Sequence, residues 1–517
     1  MHLLQDVLEQ TLAEPQCARR WHCLFEVLGT TPDQTERQRV LRHLAALKID
    51  DARVDVLRLT FLARATGDAR FANAAAVRTL AVRPFNPDRL AAFAAAQCML
   101  ALEMQPGRTD FVAALTGARL PEIAERLAYD VATLLPASLT PRISGAIERV
   151  AIVTPYVGNQ FHTPSVLAVN QCDLLARAGR RAHVFSCQEL LPPEMSLFHG
   201  DGGMALLPPP DAANWSGALP AGVSMNVSDG RFSMRSRWRG MLAAVADFDP
   251  DVVLLVGLYS PLAAALHALR PVVGLSTNTV PPLAPVDVWL TADEAGAGQT
   301  PAVWDGKLPS PLAHFHPYRI RAAKGPWQLT RAELGLEEDA VIWVTAGFRL
   351  EQEISDQWAA RMIGALTRHS NAVWLLVGGA MQLPRSLQQA PPGKVVALGT
   401  RPDVAAVLSL CDIYVNPPRM GGGFSVAEAM AARLPVLAFA GSDGGDKVGE
   451  WALPDIDTFM ERLTALSGNP ALRVEMGQNM RARFAERLDL EASGPSLISA
   501  CELAATRAAD RLRPAVS

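Results

Sequence analysis

From Met1 to about Ala146, apolar residues recur at three-and-four spacing among arginines and acids, as in VDVLRLTFLARA, RLAAFAAAQCMLALEM and RLPEIAERLAYDVATLL, with almost no β-branched runs. That period belongs to amphipathic helices and predicts an all-α domain over residues 1–146. No fixed-period self-similarity supports a solenoid. At Glu148 the texture changes. Short apolar runs (RVAIVTPYV, RRAHVFSC, DVVLLVGL, PVVGLST, VDVWLTAD) now alternate with helical patterns such as TPSVLAVNQCDLLARAG and SPLAAALHALR, around an irregular Pro/Gly/Ser-rich stretch from about Leu190 to Asp229. After AAKGPWQLTRAELGLEED a second series follows: AVIWVTAGF, AVWLLVGG, KVVALGT, DIYVNPP and PVLAFAG. Strands this uniformly apolar expect helices on both sheet faces, and strand–helix alternation predicts parallel order. The expected architecture is α/β, with two tandem doubly wound domains over 147–323 and 324–488, an all-α domain ahead of them and a helical tail over 489–517. Two such sheets leave a cleft between their carboxyl edges, where ligands bind.

Composition narrows the partners. The 517 residues are 49% hydrophobic and 19% charged, with 48 Lys and Arg against 52 Asp and Glu for a net charge of -4. That balance gives no electrostatic case for nucleic acid, so any anion must be held locally. The seven cysteines are an odd number without CxxC spacing, which supports neither a disulfide framework nor a zinc site and fits a reduced compartment. The N-terminus carries acids inside its apolar run, and no uncharged apolar stretch reaches about 18 residues. The expectation is a cytoplasmic protein with no integral membrane segment.

The stretch RMGGGFSVAEAMAARLPVLAFAG, Arg419 to Gly441, sets a glycine turn between a strand and a helix. Bare backbone N–H groups and the positive end of a helix dipole can hold a phosphate without excess basic side chains, so Gly421 to Gly423 are candidates to meet a diphosphate. A second reading stays open: Ser425-x-x-Glu428 has capping-box spacing, and the stretch is then a well-started helix.

The order CDIYVNPPRMGGGFSVAEAMAARLPVLAFAG resembles the nucleotide-sugar-binding segment of GT-B glycosyltransferases of family 4, where a Gly-Phe-Gly turn, Glu-Ala-Met-Ala and a Leu-Pro-Val strand follow one another. Upstream, LPSPLAHFHPY, the segment from LGLEEDAVIWVTAGFRLEQE to AVWLLVGG, and LGTRPDVAAVLSLCDIYVNPP are laid out like the family of O-GlcNAc transferases and bacterial cytoplasmic N-glycosyltransferases, which also carry an all-α domain ahead of the two Rossmann-like halves. The likeness runs from about Arg149 to Leu488. It implies a GT-B fold in which Glu428 hydrogen-bonds ribose hydroxyls, while Gly422, Gly423, Phe424 and Ser425 form the loop that receives the diphosphate. It places Arg401 and Pro402 where backbone holds the nucleobase, and Arg349 where a cation neutralises the leaving phosphate, although Arg349 also reads as an ordinary surface ion-pair arginine. A guanidinium suits a diphosphate bidentately.

In the first α/β half, RVAIVTPYV runs into GNQFHTPS and sets Gly158, Asn159 and His162 at a strand's carboxyl end. There His162 is a candidate general base or substrate contact, or a satisfied structural histidine. His314 and His316 read as structural. Two departures from the resembled families stand out: Met420 replaces a glutamate, and Glu353 replaces a lysine whose loss leaves Arg349, Arg419 or Lys447 to face the phosphates. The resemblance implies no metal and no cofactor beyond the donor, a nucleoside diphosphate sugar, UDP-linked. It implies sugar transfer to an acceptor, leaning to a protein, with lipid-linked and glycan acceptors open. A catalytically silent sugar-nucleotide-binding scaffold and a sugar-nucleotide epimerase are the alternatives. Arginine-rich RFSMRSRWRG reads either as an acceptor-gripping face or as a solvated helix face.

Overall fold

The computed structural model describes residues 3–512 other than 84, 106, 144, 159–161, 191–218, 277–279, 317–319, 324 and 380. The chain opens with helices α1 (Leu3–Ala13), α2 (Ala18–Thr30), α3 (Gln34–Ala46), α4 (Ala52–Thr66), α5 (Ala69–Ala81), α6 (Pro87–Met104), α7 (Arg108–Gly117) and α8 (Leu120–Ala132). Their starts are encoded locally. Asp33, Asp51 and Asn86 each accept hydrogen bonds from two amides of the helix they precede, worth about 1 kcal/mol apiece. Gly67 ends α4 in the left-handed region at φ 69°.

The first helices close a small core around Trp21, Leu24, Leu44 and Leu62. From α4 onward the helices face the next domain instead, and Phe93, Phe111 and Leu127 share one continuous core with Trp238, Leu255 and Leu262. The all-α domain is thus a covering layer on the first sheet.

That sheet's domain contains β1 (Arg149–Val153), α9 (Thr163–Arg177), β2 (Arg181–Ser186), β3 (Met225–Val227), α10 (Met234–Phe248), β4 (Val252–Val256), α11 (Pro261–Leu266), β5 (Val272–Leu275), β6 (Val288–Thr291) and β7 (Leu312–Phe315). The second α/β domain contains β8 (Val341–Ala346), α12 (Leu350–Glu353), α13 (Asp356–Arg368), β9 (Ala372–Val377), β10 (Val395–Ala397), α14 (Val404–Ser409), β11 (Ile413–Val415), α15 (Gly423–Ala431), β12 (Val436–Leu437), α16 (Asp443–Val448), α17 (Ile456–Gly468) and α18 (Pro470–Arg483). The strand orders are β3-β2-β1-β4-β5-β6-β7 and β10-β9-β8-β11-β12. All pairings are parallel, with Ile152 of β1 flanked by Val184 and Leu254. In each sheet the winding reverses beside its first strand, between β1 and β4 and between β8 and β11, and a crevice opens at that switch point.

The last helix, α19 (Gly494–Leu512), returns to the first α/β domain. Leu497, Ala500, Cys501 and Ala504 pack with Val150, Ile152 and Leu254 beneath its sheet. Where the chain crosses back, Ile320 and Asp489 form an isolated parallel bridge, and the Leu490 amide donates to the Ile320 carbonyl at 2.7 Å. The all-α domain touches both halves. Arg385 donates to the Gly29 carbonyl at 2.6 Å, and Arg108 lies 2.9 Å from Asp446 and 3.9 Å from Asp293. None of the described helices is long and apolar enough to cross a membrane.

Two strands depart from the sequence expectation. Within the described part of the Leu190–Asp229 stretch, β3 adds an edge to the first sheet, and β7 arises from LPSPLAHF beside β6.

Candidate active site

The loops after β8 and β11 meet at the switch point of the second sheet, and they carry Gly347 to Glu353 and Asn416 to Ser425. Gly422 enters α15 at φ 88°, and a Cβ there would sit 2.5 Å from Arg419 Nε and 2.6 Å from Asn416 Oδ1. Conformation and space both require glycine. The Gly423 amide donates to Asp443 Oδ2 at 3.1 Å, and a Cβ at 423 would lie 2.1 Å from that oxygen. Asp443 in turn pairs with buried Lys447 at 3.1 Å.

The capping reading of the turn is not met. Ser425 does not cap α15: its hydroxyl donates to the Gly422 carbonyl at 3.1 Å and accepts from Tyr414 at 2.8 Å, while Gly422 is the cap residue. The Gly423 amide already holds a carboxylate, so it can serve a phosphate only after Asp443 withdraws. Tyr414, Asn416 and Asp443 were not singled out from the sequence. Only their places in β11, just after it and at the start of α16 could have marked them.

The charges around this turn form a chain. Buried Arg419 donates to Glu353 Oε2 at 2.6 Å, to Asn416 Oδ1 at 2.7 and 2.9 Å, and to the Ala346 carbonyl at 3.0 Å. The other Glu353 oxygen accepts from Arg349 Nη2 at 2.9 Å. Desolvation raises the Glu353 pKa, but the two guanidiniums outweigh it and hold it below the ordinary range. Of the three cations proposed from the sequence, Arg419 and Lys447 are enclosed in ion pairs. Arg349 is partly exposed, and its Nε has no partner.

Glu428 lies one turn past Ser425 on the same face of α15 and is half-buried, with no hydrogen-bonding partner among the described residues. Burial pushes its carboxyl up to about 7. Phe424 packs between the cores of the two α/β domains, and fully buried Met420 joins the core shared by the all-α domain and the first sheet. Met420 therefore presents no polar group at the position of the absent glutamate. Arg401, after β10, is forked onto Asp403 at 2.8 and 2.6 Å, and Pro402 is exposed. Phe348 after β8 and Met381 after β9 are exposed apolar side chains on the same edge.

At the crevice of the first sheet, the described side chains at the start of α9 are neutral. His162 is the cap residue of α9, with its ring edge-on to Tyr156 at 4.9 Å and Nδ1 2.6 Å from Ser165 Oγ, which accepts the Gly158 amide at 2.8 Å. A Cβ at Gly158 would fall 3.0 Å from Tyr156 Cε1 and from His162 Cβ. Burial lowers the His162 pKa to about 4 and raises Tyr156 to about 12. Asn159 lies outside the described residues. His316 is buried with Nδ1 3.1 Å from Ser496 Oγ, a structural setting. In the arginine-rich segment, Trp238 and Arg237 are buried: Trp238 donates to Glu189 at 3.0 Å and Arg237 to the Gln188 carbonyl at 2.8 Å. Arg235 pairs with Asp130 and Arg231 with Asp229, so these side chains serve the fold.

A cavity of about 600 Å³ opens between the loop after β6 and the α16–α18 region, with Asp293, Glu294, Asp446, Arg483 and Arg487 in its walls. None of the residues named from the sequence lines it. No group of three His, Cys, Asp or Glu among the described residues is placed to hold a metal. Asp455, in PDIDTF, caps α17 by accepting from the Thr458 amide.

Residues 341–469 match the family described as Glycosyl transferases group 1. No curated protein matches the chain in sequence. Among solved structures, a mutant of Thermobaculum terrenum O-GlcNAc transferase is similar at 14% identity and TM-score 0.59, covering 98% of this chain and 94% of that one. Anabaena Alr3699/HepE in complex with UDP is 14% identical at TM-score 0.48, over 68% of this chain and 98% of its own. A glycosyltransferase from Rickettsia africae is 10% identical at TM-score 0.48, over 69% of this chain and 98% of its own. At such identities a likeness bears on fold alone. The fold is GT-B: a helical region followed by two parallel-sheet α/β domains, with a group 1 glycosyltransferase domain in the second.

Proposed function

We propose that this chain transfers a sugar from a nucleoside diphosphate sugar, UDP-linked, to an acceptor held against the first α/β domain, with a protein as the acceptor to test first. The observation that carries the reading is Glu428. A half-buried carboxyl with no partner costs folding free energy, and a pair of ribose hydroxyls would satisfy it. Exposed Phe348 and Met381 offer apolar contact to a base beside the backbone of Arg401 and Pro402. Arg349 would take the diphosphate as the bond from sugar C1 to the phosphate oxygen breaks. The acceptor forms its bond to C1 and gives up its proton to neutral His162, whose basicity rises as the dianionic leaving group approaches. Cytoplasmic residence and the absence of a metal requirement belong to this proposal.

A second reading, a sugar-nucleotide-binding scaffold without turnover, is favoured by two contacts: Asp443 on the Gly423 amide and Met420 packed across the cleft. Purified protein incubated with UDP-, GDP- and dTDP-sugars separates the possibilities. Thermal stabilisation with nucleotide release supports the transferase, and stabilisation alone supports the scaffold. An isomerised donor identifies an epimerase, and no stabilisation by any donor sinks all three.

A further inference from the structure

Glu353 puts a negative charge where a diphosphate is expected, which on charge alone should repel it. Its surroundings reverse that expectation. One carboxylate oxygen is fixed 2.6 Å from Arg419, whose guanidinium is itself anchored by Asn416 and the Ala346 carbonyl. A Cβ on Gly347 would lie 2.6 Å from Arg419 Nη1 and 3.4 Å from Glu353 Oε2, so this glycine makes room for the pair. Glu353 is 8% exposed and cannot swing into the crevice without breaking that anchor. Its other oxygen holds Arg349 at 2.9 Å, and Arg349 Nη2 would lie 3.2 Å from a Cβ on Gly421, so the guanidinium rests directly on the glycine turn. An unrestrained arginine spreads over many rotamers and loses that freedom when it is ordered. Here part of that ordering precedes any ligand. Two guanidiniums and one carboxylate leave a single positive charge, and its exposed part is Arg349.

We propose that Glu353 is a positioning residue: it aims Arg349 at the diphosphate over the glycine turn, while buried Arg419 neutralises it and keeps it from repelling that anion. The inference rests on reading the crevice as a diphosphate site, and inorganic pyrophosphate serves as a probe that does not depend on the nucleoside.

Calorimetric titrations of the full chain with UDP, UMP and pyrophosphate test it in the wild type, Glu353→Gln, Glu353→Asp, Arg349→Ala and the double variant Glu353→Gln with Arg349→Ala. Glu353→Gln should weaken UDP and pyrophosphate about tenfold, the scale of one charge-assisted hydrogen bond, and leave UMP within about twofold. Glu353→Asp should recover part of the loss. The double variant should bind no more weakly than Arg349→Ala, since the glutamate acts through the arginine. Unchanged or tighter UDP binding by Glu353→Gln overturns the proposal, as does additive behaviour in the double variant. Equal loss for UMP would assign Glu353 to general scaffolding and also overturn it. Should Glu353→Gln fail to fold, Glu353→Asp decides by the same ratio of UDP to UMP affinity. Wild type that takes pyrophosphate but no UDP leaves the positioning role standing and removes the nucleotide reading; wild type that takes neither removes both.

Discussion

The two crevices at the sheet switch points face one another, yet they follow opposite electrostatic plans. Around α15 the groups are ionised and tied into a chain, Arg419 to Glu353 to Arg349, with Asp443 and Lys447 beside it. Around the start of α9 burial keeps the groups neutral at physiological pH: His162 at about 4 and Tyr156 at about 12. The first plan suits recognition of an anion, because fixed charges need little reorganisation when it arrives beyond the withdrawal of Asp443 from the Gly423 amide. The second suits a proton acceptor that must be uncharged before reaction. What separates them is the supply of partners: apart from Glu428, the crevice at α15 buries its charges with counter-ions, whereas the one at α9, among the described residues, buries a titratable ring beside a hydroxyl and an aromatic neighbour.

The sharpest way to break this contrast is His162→Ala. Loss of a general base should lower kcat at least about 100-fold with KM little changed. Wild-type kcat should also show no inflection near 6.5, the ordinary histidine value, because the ring is already neutral there. An inflection at that pH, or unaltered kcat in the variant, removes the proton-acceptor half of the comparison.

Glu428 tests the anion-recognising side. Its raised pKa means the carboxyl is largely protonated below about 7, while ribose hydroxyls donate to the ionised form. UDP affinity should therefore fall about tenfold per pH unit on acidification below that value, as binding must expel the proton. Glu428→Gln should flatten this dependence. Folding of the ligand-free protein runs in the opposite direction: a carboxyl with a raised folded-state pKa destabilises it progressively as pH climbs from about 4.5 to 7, so the glutamine variant should gain up to about 2 kcal/mol in urea unfolding at neutral pH.

The smallest effect concerns Asp443. Asparagine keeps an oxygen for the Gly423 amide but removes a negative charge from beside the turn. UDP should bind Asp443→Asn about threefold more tightly at low salt, with the difference shrinking as salt rises. Weaker binding would mean that the carboxylate supports the loop without competing for it.

Much of this was legible beforehand where local chemistry decides. Fully apolar runs such as VVLLV and VIWVTA can only be interior strands, and both are buried throughout. β3 escaped because its three residues lie on a half-exposed edge, where no apolar run is needed, and β7 because a histidine and nearby prolines interrupt its pattern. The site was legible as a list of positions but not as a set of contacts. Met420 looked like a lost acid; its side chain instead fills a core built by residues more than a hundred positions upstream. Glu353 looked like a repulsive substitution because its partner Arg419 is 66 residues away. The GGG turn could not disclose that a carboxylate from the following helix sits on its amide. Sequence carries propensity and pattern, whereas these three outcomes depend on which distant side chain closes a contact.

The chain passes between the α/β domains twice, at Ile320 and at Asp489, and the two passages lie side by side joined by a backbone hydrogen bond. A lone connector would act as a ball joint. Two adjacent ones define a pin, which restrains the lobes more than a single strand of chain would. Arg108, which reaches acids on both leaves, adds a tie between them from the all-α domain.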